Sequence, residues 1–481
     1  MKTFCLLFLI ALIFYTNVIH TEQTEPEIAM KAFVTMKGIE KIQSIINPIL
    51  IQEIQNVQIP PVTVKKDGLT LELYNMVITK LQFDQETVTL TAPDEITIAI
   101  KQLSTHCDMD WHYTFGLLKD SGTADEEVTE VDITMTLKYF ANNSHIALVA
   151  ESAQCSIGKL DITLHGGASW LYNIIIDILK GPIKDLIASS LSSEFVTEIN
   201  TLAPSLLDSI PIKIDIDQYT SLHFEMLGQE LTSEYIAAFN NAEFYDIANP
   251  VECPLPHHDL PSTPKSEDYM AEVYLDEFAI NSAFYAYNEE GRIDIIITNG
   301  EIPPYIPFQL NTSEFKDYIP NLYEKYPDLL MTIEITPNVL PSISITEANE
   351  IDATLILNLN FSVVESDNTT IPVFTFVCDI DADVDAYMDG ETICGNLTLN
   401  TFTLVDTWTS IGPIDMNLFM PTLDMMVNAF VVPFLNGYLK TGFPIPTIDG
   451  VSFENSEVSY GDGYILISTD VDYTPPEYNF Y

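Results

Sequence analysis

Between Gly166 and Leu202 runs a helical pattern far longer than an ordinary globular helix, opening with GGASWLYNIIIDILKGPIKDL. Gly166 and Gly167 let an incoming strand turn sharply, because glycine reaches backbone angles closed to other residues. Ser169 then offers an N-cap oxygen. Beyond it Leu171, Ile174, Ile175, Ile178, Ile183, Leu186, Ile187, Leu191, Phe195, Ile199 and Leu202 fall on one broad face. Asn173, Asp177, Lys180 and Lys184 fall on the other. At ~1.5 Å per residue the rod from Ser169 to Leu202 is roughly 50 Å long. Pro182 removes a backbone hydrogen bond and presses on the carbonyl of Ile178, which predicts a bend. A bent, one-sided rod suits a curved antiparallel sheet.

The flanking sequence supplies such strands, in alternating runs such as LTLELYNMVITKLQFD and VTLTAPDEITIAI. Ahead of them GIEKIQSIINPILIQEIQ places Ile39, Ile42, Ile46 and Leu50 at three- and four-residue spacing, a helix stopped by IPPV. Prolines from Pro250 to Pro264, in ANPVECPLPHHDLPSTPKSED, interrupt all periodicity and read as an extended linker. A similar order recurs beyond it. Strands are expected in AEVYLDEFAINSAFYAY and RIDIIITNG, a shorter helix in SEFKDYIPNLYEKYP, and more strands, including ATLILNLNFSV. A second long apolar helix follows in MMVNAFVVPFLNGYLK, carrying Met426, Phe430 and Phe434. Pro211 and Pro444 force extended backbone at comparable places after the two long helices. The chain therefore reads as two related α+β modules, residues 22–249 and 266–481, joined by a linker over 250–265. Each is a twisted antiparallel sheet wrapped on a long helix, without the strand and helix alternation of a parallel nucleotide-binding sheet.

What such modules bind is narrowed by charge. With 70 acidic against 19 basic residues, a net charge of -51 and Arg292 as its single arginine, the chain repels nucleic acid, anionic bilayers and phosphate-rich ligands. At the N-terminus, MKTFCLLFLIALIFYTNVIHTEQTE has an apolar run from Phe4 to Tyr15 too short to span a bilayer. Residues 1–21 are expected to be a cleaved secretory signal, with no membrane anchor later in the chain. Removing Cys5 leaves Cys107, Cys155, Cys253, Cys378 and Cys394, for which secretion makes disulfides the natural expectation. Cys378 and Cys394 flank DIDADVDAYMDGETI and are placed to close a hairpin, and the odd count leaves one thiol over. Sequons at Asn142, Asn311, Asn360, Asn368 and Asn396 fit a secreted glycoprotein.

Covalent chemistry finds no support. Asp379, Asp381, Asp383, Asp385 and Asp389 invite a calcium reading, but an EF-hand counted from Asp379 meets Val384 and Gly390 where glycine and glutamate belong. They read as the wet face of a strand. His106 and His112 share a strand face opposite Cys107 and make no metal site. His257 and His258 lie in the linker without evident partners. GGASW is no esterase elbow, and acidic pairs are too abundant to single out a glycosidase dyad. No catalytic residue, metal or cofactor is expected.

At this level the residues identify a family resemblance. CDMDWHY at Cys107, CSIGKL at Cys155 and DITLHGGASWLYNIIIDIL resemble the lipopolysaccharide-binding and bactericidal permeability-increasing protein family, especially its plant and protist members. VYLDEFAINSAFYAYNEEGRIDIIITNGEIP, LYEKYPDLLMTIEI and VVPFLNGYLKTGFPIPTIDGVSF continue the match in order, from about Gly38 to Tyr473. The resemblance implies a two-barrel boomerang joined by a central sheet, each barrel holding a long helix and an apolar pocket for phospholipid tails. It implies a Cys107 to Cys155 disulfide, as in the plant-like branch, which with a Cys378 to Cys394 pair leaves Cys253 in the linker free. It places lipid contacts at Ile42, Ile46, Leu50, Trp170, Leu171, Ile174, Ile175 and Ile178 in the first barrel, and at Met426, Phe430 and Phe434 in the second. The expected partner is a phospholipid or another lipid, with transient contact at a membrane surface. Members that capture lipopolysaccharide use a cationic tip, which this acidic chain lacks; envelope-lipid binding in innate defence is the alternative function. A third is a secreted interaction or structural glycoprotein with solidly packed barrels, since periodicity alone does not separate a full core from an open slot.

Overall fold

The computed structural model describes residues 28–44, 58–82, 85–142, 145–166, 172–207, 212–289, 291, 293–300, 302, 309–348, 350–428, 432–445 and 451–474. The expected signal segment lies outside them. The chain enters through β1 (Met30–Thr35) and a helix over residues 36–44, α1. The first lobe is an antiparallel sheet of β2 (Gln58–Ile59), β3 (Val62–Lys66), β4 (Leu69–Gln82), β5 (Gln85–Thr91), β6 (Glu95–Phe115), β7 (Leu118–Asn142) and β8 (His145–His165). Their order is β2-β4-β6-β7-β8, with β3 on β4 and β5 on β6. Strands of 21 and 25 residues cannot stay flat, because their right-handed twist accumulates. The sheet curls into a half-barrel around α2 (Tyr172–Leu207).

The buried residues of α2 explain the curl. Leu179, Ile183, Ile187, Leu191, Phe195, Ile199 and Ala203 recur every fourth position. With 3.6 residues per turn, each such step overshoots a full turn by about 40°, so the buried stripe winds some 240° around the helix from Leu179 to Ala203. A stripe that winds needs a cover that wraps. α2 continues through Pro182 and on through Pro204 to Leu207, past the expected end at Leu202.

The two halves share one sheet. Its order, β11 (Met226–Leu231), β12 (Tyr235–Asn240), β1, β14 (Ala271–Asp276), β23 (Tyr464–Tyr473) and β22 (Val451–Gly461), takes three strands from each half. β1 pairs with β12 on one side and β14 on the other, so the described chain begins in the middle of the molecule. A small sheet of β9 (Lys213–Asp215), β10 (Thr220–His223) and β13 (Glu243–Asp246) lies beside it in sequence. The second lobe orders β15 (Ile295–Ile297), β16 (Leu330–Pro337), β18 (Glu350–Val364), β19 (Thr370–Asp389), β20 (Thr392–Thr409) and β21 (Phe443–Pro444), with β17 (Ser342–Thr346) on β18. Its helices are α3 (Glu277–Glu289), α4 (Pro320–Lys325), α5 (Met416–Met426) and α6 (Val432–Thr441).

Several expectations change. DEFAINSAFYAY is not strand: the backbone N–H of Phe278 donates to the Asp276 carboxylate, and from Glu277 the chain is the helix α3. Phe278, Ala279, Ser282 and Ala286 are buried at helical spacing. The second long helix is two short described pieces, α5 and α6. The linker is docked rather than loose, since buried carboxylates accept its backbone N–H groups: Glu243 from Cys253, Asp276 from His258, and Glu272 from Lys265 and Ser266. His257 and His258 do have partners, as the His257 ring stacks on Phe278 and His258 Nδ1 lies 3.3 Å from Asp276.

The cysteine pairings are corrected as well. All five described cysteines are free. β7 lies between the strands of Cys107 and Cys155, which face Glu126 and Ile133 on it. Cys378 and Cys394 are on neighbouring strands, but Cys378 sits opposite Leu404 and Cys394 opposite Tyr387. Tyr387 is roughly 30 Å of strand from Cys378, out of reach of a disulfide. On the same strand Asp379, Asp381, Asp385 and Asp389 are exposed, as expected of a wet face.

Candidate functional site

Where the second lobe meets the shared sheet, side chains stop short of filling the interior. A cavity of about 290 Å³ lies there. Its walls come from every element that converges on the spot: Phe244 of β13, Leu275 of β14, Ala279, Ile280 and Ala283 of α3, Ile351 of β18, Val384 and Ala386 of β19, Ile393, Cys394 and Gly395 of β20, Leu439 of α6, Gly442, and Ile465 of β23. The space exists because five of these residues are alanine or glycine. A Cβ on Gly395 would stand 3.0 Å from Val384 and 3.5 Å from Leu439. Gly442 has φ +67, and a Cβ there would collide with Ile393 and Cys394.

Polar side chains hold the walls from behind. Asn281 on α3 clamps β17, donating to the Ile343 carbonyl at 3.0 Å and accepting from its N–H at 2.8 Å. Glu277 accepts from the Ile345 N–H at 2.7 Å, and Ser282 accepts from Phe244 at 3.1 Å. These bonds turn the apolar face of α3 inward. On the opposite wall Asn436 of α6 accepts from Leu397 N–H at 2.6 Å and donates to its carbonyl at 3.0 Å, fixing α6 on β20. The Tyr460 hydroxyl accepts from Ala386 N–H at 2.9 Å, tying β19 to the shared sheet.

No wall residue among the described residues carries charge. The one polar side-chain atom is the Cys394 thiol, which donates to the Lys440 carbonyl at 3.4 Å. Burial, then the nearby Asp389, pushes that thiol above its ordinary value, so it stays neutral. An ion drawn against such apolar walls would lose water and gain no partner.

Of the sequence-predicted contact residues, Ile42 and Ile178 are the two with described side chains, and neither is among the cavity's lining residues. Ile42 is buried in the main hydrophobic core, which runs through both halves, and Ile178 is half-buried against it. Ile46, Leu50, Trp170, Leu171 and Phe430 lie outside the described residues. Ile174 and Ile175 belong to α2, Met426 closes α5 and Phe434 lies in α6, with their side chains outside the described set. Leu439, on the same predicted helix as Phe434, does reach the cavity. The α3 residues were missed because that segment was read as strand. The Asp276 cap and the spacing of Phe278, Ser282 and Ala286 were the available signal.

Among the described residues no group of histidine, cysteine and carboxylate is arranged to hold a metal. No helix among them is long and apolar enough to cross a membrane. Two helix-bearing lobes about one shared sheet, with an apolar cavity at the junction, define the scaffold.

The chain belongs to the LBP / BPI / CETP family, whose N-terminal domain matches residues 32–202 and whose C-terminal domain matches residues 223–473. It is 25% identical to the bactericidal permeability-increasing protein of Sebastes schlegelii, over 92% of this chain and 95% of that one. It is 24% identical to a putative BPI/LBP family protein of Arabidopsis thaliana, over 98% and 97%. A fish and a plant protein at such similar identity single out no plant or protist branch. A crystal structure of lipopolysaccharide binding protein superposes with a TM-score of 0.65 at 18% identity, covering 93% of this chain and 99% of that chain, a likeness of fold. Members of the family are lipid-binding and lipid-transport proteins.

Proposed function

We propose that this protein is a secreted carrier that binds a phospholipid or another lipid by its acyl chain and moves it between surfaces, without covalent catalysis. The observation that carries the reading is the charge-free 290 Å³ cavity at the lobe junction. Left empty, its apolar walls face water and lack partner atoms on one side. A guest tail restores those contacts, at about 0.8 kcal/mol per buried methylene. A corresponding pocket in the first lobe, along α2, and the boomerang of two barrels belong to the same reading. So do glycans at Asn311, Asn368 and Asn396, none of which is fully buried, and at Asn142 and Asn360.

Transient contact with a membrane surface is supported by the β6–β7 hairpin. Leu117 at its tip is 100% exposed, beside the partly exposed Phe115 and Leu118. Lipid A is a poor match on charge, since a protein of net charge -51 repels phosphates. Capture of microbial envelope lipid is the second reading, favoured by relatives named lipopolysaccharide-binding protein.

Extraction of the purified protein followed by lipid mass spectrometry tests the proposal. Co-purified lipid at a fixed ratio, and transfer between neutral vesicles, are the expected results. An empty protein with no transfer sinks it. Salt-sensitive binding to lipid A would favour the second reading.

A further inference from the structure

We infer that an N-linked glycan at Asn360 lies across the outer face of the second-lobe sheet and stacks its first sugars on the indole of Trp408. The inference rests on the glycoprotein reading above and says what the glycan at that site covers. Register is the first argument. Asn360 of β18 stands opposite Thr375 of β19, and Thr375 stands opposite Trp408 of β20. Residues directly opposite in a ladder point to one side of the sheet, and two strand spacings put Asn360 and Trp408 about 10 Å apart. The Thr375 hydroxyl donates to Asn360 Oδ1 at 3.0 Å, which fits the shared face and aims the amide.

Exposure is the second argument. Trp408 is 47% and Val405 58% exposed, beside the polar positions Glu334, Asn358, Thr375 and Thr403 of the same face. A large aromatic left bare on a polar strand surface favours a cover. A sugar ring suits it, since its C–H groups pack on an aromatic plane while its hydroxyls stay in water. Asn360-Phe361-Ser362 is the sequon placed to supply one. On attachment Asn360 Nδ2 gives up one proton and bonds C1 of the sugar, as the C1–O bond to a lipid-linked diphosphate donor breaks and the diphosphate leaves. The remaining N–H still reaches Glu334 Oε2, 3.5 Å away. The outer face of this lobe is thereby withdrawn from membrane contact, which is left to the sequon-free β6–β7 turn.

Glycopeptide mass spectrometry and acrylamide quenching of tryptophan fluorescence, on the full-length protein secreted from eukaryotic cells, test this. The part of the fluorescence that disappears in Trp408→Phe belongs to Trp408. Sugar is expected on Asn360, and quenching of that part should rise about two-fold in Asn360→Gln, because one face of the indole becomes free. Ser362→Ala, which removes the sequon and keeps the amide, should give the same rise and serves where Asn360→Gln fails to fold. An Asn360 without sugar overturns the inference through the glycoprotein reading. An occupied site with unchanged quenching in both variants overturns the stacking alone. Protection of Trp408 that depends on added phosphatidylcholine vesicles or on protein concentration, and not on the sequon, gives the face to a bilayer or a second copy and overturns it as well.

Discussion

The two lobes solve one packing problem with different side chains. In each, an asparagine on the lobe helix takes both backbone groups of a strand residue: Asn200 of α2 bonds Ala150 N–H and carbonyl at 2.8 and 3.0 Å, and Asn436 of α6 does the same to Leu397 at 2.6 and 3.0 Å. What differs is the filling. The first lobe lays a 36-residue helix along its sheet, burying a large aliphatic at nearly every fourth position. The second divides the interior along β18 to β20. At one end Phe315, Phe361, Phe374, Phe376 and Phe419 close into a solid aromatic cluster. Roughly 30 Å along β19, alanines and glycines leave the cavity. Space for a guest is therefore set by side-chain volume along strands that are otherwise continuous.

The sharpest way to break this contrast is at the aromatic end. Phe361 is buried, stacked on Phe374 at 4.5 Å, and Phe361→Ala should cost about 4 kcal/mol in denaturant unfolding. A loss under about 1 kcal/mol would mean that this end is not solidly packed.

The next effect belongs to the first lobe. Glu126 of β7 is buried with neither carboxylate oxygen hydrogen-bonded, and burial pushes its carboxyl up to about 8 from an ordinary 4.5. An acid raised in the folded state keeps its proton while the unfolded chain ionises, so stability is full below the ordinary value and falls as pH climbs toward 8. By pH 7 the loss is on the order of 3 kcal/mol, and Glu126→Gln should flatten the melting temperature against pH. An unchanged slope in that variant would show that the group is solvated.

Matched truncations compare the lobes directly. Leu179→Ala on the buried stripe of α2 should cost about 3 kcal/mol, and Leu439→Ala beside the cavity about 1, because Leu439 already lacks neighbours on one side. Equal losses would indicate that the cavity closes up when empty. The smallest effect is between the halves, where Lys37 and Lys41 of α1 pair with Asp470 and Asp472 of β23, each at 2.8 Å. Partly exposed pairs of this kind contribute about 0.5 kcal/mol, so Lys37→Met should shift unfolding slightly, and less still at high salt.

Much of the scaffold was legible because period and punctuation are local. The strand of Leu69–Gln82, the turn at Gly166 and the spacing of Ile183, Ile187, Leu191 and Phe195 are all readable in a short window. α3 misled because VYLD before it does alternate and FAINSAFYAY is short enough to pass for either period. The cysteines misled because sequence distance carries no register. The cavity was hidden for a related reason: Phe244, Ala283, Ala386 and Ile465 come from distant stretches, and none is unusual alone.

By itself the amino-acid order determined the long apolar helix, the alternating strands and the acidic charge, since each follows from composition or from neighbours a few residues apart. Tertiary structure alone decided that β1 sits between β12 and β14, that the proline segment is held by Glu243, Glu272 and Asp276, and where room is left inside. Those depend on which remote side chains meet and how far their volumes fall short of filling the gap, a property of contacts that no local pattern contains.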